Sequence, residues 1–137
     1  MSLEDNKRVV HQFLEQMPSG TPEFFALMTE DVTWWVPQGV PLGGLYEGKA
    51  GVHKFLTEGV DLYDPSIPIT ATVLHVIAEG DRVAAQTSVT ARTIKGLPYD
   101  NQYHWAFRLR DGKVCEVREY VDTKYAWDTL FAPLESE

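Results

Sequence analysis

Cysteine is almost missing from this chain. Cys115 stands alone, which excludes an internal disulfide and a cysteine-based metal site. Long apolar runs are also missing. No stretch approaches the roughly 20 residues needed to span a bilayer, and the N-terminus, MSLEDNKRVV, carries acids where a secretory leader has bases followed by an apolar segment. A membrane partner is therefore not expected, and cytoplasmic is the natural reading of location. Basic residues are few, 12 Lys and Arg against 20 Asp and Glu, for a formal net charge of −8. They are scattered rather than gathered into the patch that displaces counterions from phosphates, so nucleic acid is not an expected partner either. Repeats, low-complexity tracts and long linkers are absent. The chain is 44% hydrophobic and 23% charged, enough apolar material for a core, and residues 1–137 read as one domain.

The pattern changes along the chain. Apolar residues at Leu3, Val9, Val10, Phe13, Leu14 and Met17 have helical spacing, which Pro18 and Gly20 end. Thr21 followed by Pro22 starts a second short helix through Phe24, Phe25, Leu27 and Met28. Residues 31–36 read as a strand stopped by Pro37. Glycine-rich residues 38–48 read as a loop, and a third helix begins near Lys49 with Val52, Phe55 and Leu56. From residue 69 the period becomes two. Runs at 69–78 and 82–94 flank an Glu-Gly-Asp turn, and runs at 99–110 and 113–122 flank Asp111-Gly112, a type I′ hairpin signal. Residues 123–131 read as a short closing helix. Helices followed by a meander of long strands imply an α+β fold with a mostly antiparallel sheet.

The last hairpin allows a register to be derived. With Asp111 and Gly112 as the loop, Arg110 faces Lys113, and stepping outward sets Phe107 opposite Glu116, Trp105 opposite Arg118, Tyr103 opposite Tyr120 and Asn101 opposite Asp122. Alternation puts these eight on one face. Aromatic bodies beside hydrogen-bonding tips suit the wall of a pocket for a small hydrophobic molecule. A carboxylate among them, Asp122, is the expected base if it is desolvated, or an ion pair with Arg118 if it is not. On the other face His104 meets Glu119, as a cross-strand pair or as a base with its orienter, at a surface where two subunits can meet.

Other positions carry less. One of Trp34 and Trp35 must face inward. His11 and His53 lie in helical patterns, and His75 and His53 lack a metal-ligand spacing, so no metal site is expected. Cys115 lies away from the expected pocket. The glycines at 39, 43, 44, 48 and 51 make no phosphate loop, and there is no Gly-x-Ser-x-Gly elbow.

TEDVTW at 29–34 after two short helices, YEG at 46–48 before a third, FRLRDGKV at 107–114 and REYVDT at 118–123 together resemble the SnoaL-like branch of the nuclear transport factor 2-like superfamily. The resemblance covers nearly the whole chain in order. It implies a cone of curved, mostly antiparallel sheet, closed by three N-terminal helices and a short C-terminal helix, and a homodimer. The superfamily contains isomerases, cyclases, hydrolases and non-catalytic binders, so the fold does not choose among them. REYVD is similar to the segment in which limonene epoxide hydrolases carry a final Asp that activates water, which would make Asp122 a general base. The positions matching that family's other Arg and Asp hold Gln86 and Ser88. The positions matching the base and oxyanion donors of ketosteroid isomerases hold Val36, Phe13 and Trp105. Similarity to polyketide cyclases implies a single acid in an apolar pocket. The expected function is then a cofactor-independent isomerase or cyclase acting on an apolar or aromatic carbonyl compound. Asp122 removes a proton, Asn101, Tyr103 or Tyr120 steadies the enolate oxygen, and Arg118 holds Asp122 ionised or binds an anionic substrate group. Trp34, Trp105 and Phe107 form the wall. The alternatives are a non-catalytic binding or interaction domain, and an epoxide hydrolase with a reduced site.

Overall fold

Ser2 accepts the Asp5 N–H and Asp5 reaches back to the Ser2 N–H, a capping box that starts helix α1 (Leu3–Gln16) in this computed structural model, which describes residues 2–134. The helix buries Val10, Phe13 and Leu14 on one side and ends in a 3-10 turn, Met17–Ser19, stopped at Gly20 with φ 59°. Thr21 caps the short α2 (Pro22–Phe25). Strand β1 (Met28–Val36) begins three residues earlier than the sequence suggests. A strand read as loop, β2 (Gly44–Glu47), folds back antiparallel on β1. The turn between them needs Gly43, where a Cβ would sit 2.1 Å from the Pro37 carbonyl oxygen. After α3 (Gly48–Val60) come β3 (Thr70–Glu79), β4 (Arg82–Arg92), β5 (Pro98–Arg110) and β6 (Lys113–Val121), then α4 (Thr123–Ala126) and one π turn, Trp127–Phe131.

The six strands form one sheet in the order β2-β1-β6-β5-β4-β3. All neighbours are antiparallel except β1 with β6, which close the chain's first and last strands side by side in parallel. The sheet is curved, not closed into a barrel, and the helices cover its inner face, as the expected α+β cone requires. The long strand β5 alternates cleanly. Tyr99, Asn101, Tyr103, Trp105, Phe107 and Leu109 are buried, while Asp100, Gln102, His104, Arg108 and Arg110 are exposed. Beneath α1 and α2 the core is aromatic. The Phe13 ring lies 4.7 Å from Phe24, 5.8 Å from Trp34 and 5.4 Å from Phe107.

The β5–β6 hairpin corrects the derived register. Its turn is as expected, with positive φ at both Asp111 (52°) and Gly112 (78°), and Arg110 faces Lys113. Leu109 then faces Val114, but Arg108 faces Glu116, so Cys115 is an extra residue in β6. Beyond it every partner moves by one: Phe107 faces Val117, Trp105 faces Glu119, and Tyr103 faces Val121. Glu119 therefore joins the inner face, while Glu116, Arg118 and Tyr120 go to the outer one. His104 pairs with Tyr120, not with Glu119.

Deleting Cys115 should remove the bulge while keeping every pairing beyond it, with Val117 still buried opposite Phe107 and Glu119 still on the inner face. Urea unfolding of that variant should keep a cooperative transition. Cys115→Ala, which keeps the residue count, should change stability by no more than about 1 kcal/mol.

Candidate active site

A cavity of about 340 Å³ lies between the inner face of the sheet, α3 and the 3-10 turn after α1. Its volume is at the small end for organic ligands. Met17, Pro18, Leu56, Val60 and Ile69 are among the apolar residues around it, and Ser19, His53, Thr57, Tyr63, Tyr103, Trp105 and Glu119 bring the polar groups. Among the described residues, no Lys or Arg lines it.

Among the described residues, Glu119 is its one carboxylate. The residue is half-buried, because it faces the cavity, and the indole Nε1 of Trp34 donates to its Oε1 at 3.1 Å. Trp34 is fully buried and held edge-on to Trp105 at 5.9 Å, so this donor is fixed. Desolvation pushes the Glu119 carboxyl from its ordinary 4.5 up to about 7, and the Trp34 hydrogen bond moderates the rise. At neutral pH the group can therefore both take and return a proton.

Tyrosine hydroxyls form the second polar feature. Tyr99 and Tyr103 share a hydrogen bond at 2.6 Å, and Asn101 Nδ2 donates to Tyr99 at 3.0 Å. The Tyr63 ring packs edge-on against Tyr99 at 5.6 Å. Burial raises the pKa of all three phenols, so they stay protonated and available as donors. On β4, Thr87 accepts from the Trp105 indole at 2.9 Å, fixing the ring that forms the cavity floor.

The expected site residues divide. Tyr103 and Trp105 line the cavity. Trp34, Phe13, Val36 and Phe107 are buried in the aromatic core beside it, Trp34 reaching the site through Glu119. Asn101 is buried behind the tyrosines. The other five lie elsewhere. Asp122 is exposed and N-caps α4, accepting the Tyr125 N–H at 3.1 Å. Arg118 stacks over Trp35 at 4.2 Å and donates to Tyr120 Oη at 3.1 Å, all three on the outer face, away from Asp122. Gln86 and Ser88 are also on the outer face, bonded to His75 and to Gln102, because it is Thr87 between them that turns inward. Among the described residues, no cluster of three or more His, Cys, Asp or Glu side chains is arranged to hold a metal ion. No described helix is long and apolar enough to cross a membrane. Sequence reasoning missed Glu119, Tyr63 and Tyr99. The bulge turns Glu119 inward, where regular alternation placed it outward; Tyr63 lies in the connection between α3 and β3, which has no periodicity, and Tyr99 at the start of β5.

The sequence model of the SnoaL-like domain matches residues 10–117. Among curated proteins there is no match. Several solved structures share the fold. An NTF2-like protein from Burkholderia xenovorans is 24% identical, with 95% of this chain and 98% of that one covered and a TM-score of 0.77. TerC, co-crystallised with polyporic acid, is 22% identical with 93% and 99% covered and a TM-score of 0.82. A protein of Jannaschia sp. CCS1, provisionally described as a SnoaL-like polyketide cyclase, is 19% identical with 95% and 94% covered and a TM-score of 0.79. At these identities the likeness establishes architecture alone.

The Glu119 carboxyl should titrate near 7 in a carbon-detected NMR experiment, and Trp34→Phe, which keeps the ring but removes the donor, should move it higher. The sign for stability follows. An acid whose folded value exceeds its unfolded value binds more protons when folded, so stability falls as pH rises from about 4.5 to about 7. Glu119→Gln should remove that component of the fall in chemical unfolding measured across this window.

Proposed function

We propose that this chain, which belongs to the SnoaL-like domain family, binds a small apolar carbonyl compound in its cavity and moves a proton on it through Glu119. The observation that carries this reading is one carboxyl on the wall of an apolar cavity, hydrogen-bonded to a buried indole and poised near neutrality. The Glu119 carboxylate takes a proton from the carbon next to the carbonyl and becomes the acid, while the electron pair moves onto the carbonyl oxygen as an enolate. A phenol of the tyrosine cluster donates to that oxygen. The Glu119 acid then returns its proton to carbon, at the same or a conjugated position, and the carboxylate is restored. No cofactor is required for such a cycle. The cyclase description of one structural relative is consistent with the same elementary step.

The resemblance also leads us to propose a homodimer through the outer sheet face. Cross-strand partners Ile77, Ala84, Ala106, Arg118, Trp35 and Leu45 make one row across it, with Ile77 62% and Leu45 57% exposed at its ends. Light scattering should give twice the chain mass for the native protein and the monomer mass for Ile77→Lys. A monomeric native protein would sink this part alone.

Proton abstraction is tested with 2-tetralone in D2O, following deuterium entry next to the carbonyl by NMR. Exchange should be catalysed, should rise with pH through about 7, and should drop about 10²- to 10⁴-fold in Glu119→Gln with binding retained. Asp122→Ala should leave exchange unchanged while costing about 1 kcal/mol of stability, as loss of a helix cap does. Saturable binding without any exchange would instead support a non-catalytic binding domain.

A further inference from the structure

The amide of Asn101 has its orientation set twice. Its Oδ1 faces the Gln102 backbone N–H at 2.9 Å, a group that can only donate. Its Nδ2 faces the Asp122 backbone carbonyl at 3.3 Å, a group that can only accept. The nitrogen, which can only donate, is therefore the atom 3.0 Å from Tyr99 Oη. Tyr99 has one proton of its own, and its oxygen is 2.6 Å from Tyr103 Oη. Either phenol can supply the proton between the two oxygens; with Asn101 donating to Tyr99, the arrangement in which Tyr99 supplies it uses the Tyr99 proton within the cluster. The Tyr103 proton is then left over, on a side chain that lines the cavity.

We infer that Asn101, Tyr99 and Tyr103 form a one-way hydrogen-bond relay, Asn101 to Tyr99 to Tyr103, that presents a donor to the cavity and selects a ligand with a carbonyl oxygen at that point. Asn101 and Tyr99 are positioning residues in this relay, and Tyr103 is the group that touches the ligand. Each donor in the chain accepts a bond at its own oxygen, which polarises its O–H and strengthens the next bond. All three side chains belong to one short stretch of β5, with Asn101 and Tyr103 in successive inward positions after Tyr99, so the relay is built into the alternation of a single strand. Among the described residues, no Lys or Arg lines the cavity. A ligand whose oxygen at this point belongs to a carboxylate or phosphate would meet no Lys or Arg there, only this neutral donor, with the Glu119 carboxyl in the same cavity. The ligand class is thus an uncharged ketone or quinone-like carbonyl, a refinement that rests on the reading of the cavity given above.

The test is the carbonyl stretch of carbon-13-labelled 2-tetralone bound to the intact protein in the Glu119→Gln background, where exchange cannot interfere. The bound ketone should absorb at lower wavenumber than in an apolar solvent. Tyr103→Phe should return the band to the apolar position and weaken binding about threefold to tenfold. Tyr99→Phe and Asn101→Leu should move it part of the way back. Tyr99→Phe keeps the ring, so it stands alone if Asn101→Leu does not fold. An unshifted band in the parent protein, or a shift that survives Tyr103→Phe, overturns the inference. So does a band in Tyr99→Phe identical to that of the parent, and so does a shift lost only in Tyr63→Phe, which would place the donor at Tyr63. Naphthalene-2-carboxylate binding as tightly as 2-tetralone overturns the ligand class. Each of those results leaves the exchange assay on Glu119 standing, whereas failure of 2-tetralone to bind at all removes the cavity reading and the relay together.

Discussion

One extra residue in β6 decides which side of the sheet each side chain of that strand occupies, and the candidate site follows from it. Strand periodicity is two, so an insertion of one exchanges the inner and outer sets beyond it. Without Cys115 as a bulge, the set Val114, Glu116, Arg118, Tyr120 would face the helices. With it, the inner set is Val114, Val117, Glu119 and Val121. The second set is the one a covered face can accept, because it takes a single polar group out of water and leaves three charged or polar ones in contact with it. The bulge is thus favoured by burial rather than by the local conformation of Cys115.

The single carboxyl that enters is handled in a way that leaves it reactive. A carboxylate paired with a guanidinium would be held ionised, and one with no partner would remain a neutral acid over most of the accessible pH range. Glu119 has an intermediate environment. Its surroundings are apolar and the tyrosines stay neutral, yet the Trp34 indole gives the anion one directed donor. Trp34 in turn is clamped by Phe13, Phe55 and Trp105, so the donor's direction is a property of the aromatic core. Core packing and the acidity of the site are therefore not separable: the same rings that give the fold its apolar interior also set the polarity at the cavity wall.

Most of the architecture was legible from the sequence. The periodicity change at residue 69, the Asp111-Gly112 turn and the helix start at Thr21-Pro22 each report a local preference that the fold keeps. The elements that escaped are those whose stability is not local. Residues 44–47 form β2 only because β1 offers an unpaired edge. Site residues were legible to the extent that strand alternation was undisturbed, which is why Tyr103, Trp105 and Phe107 were found on β5. On β6 a simple two-residue loop was extrapolated through Cys115. The sequence did hold a sign of the bulge. Val114 and Val117 are an odd number of positions apart, so one regular strand cannot bury both, whereas the structure buries both completely.

The same insertion that brings Glu119 inward carries Arg118 out, and both halves of that exchange matter. In the unbulged register the guanidinium would sit inside, facing Trp105, and any carboxylate near it would be lowered into the ordinary range or below by an opposite charge in a medium that screens poorly. In the observed register Arg118 spends its charge on the Trp35 and Tyr120 rings outside, where it is hydrated and stacked. The cavity keeps an acid without its neutralising base. The same residues run through β6 in unbroken alternation, with no bulge at Cys115, would present a cationic pocket fitted to anions instead of an acidic one fitted to neutral carbonyl compounds.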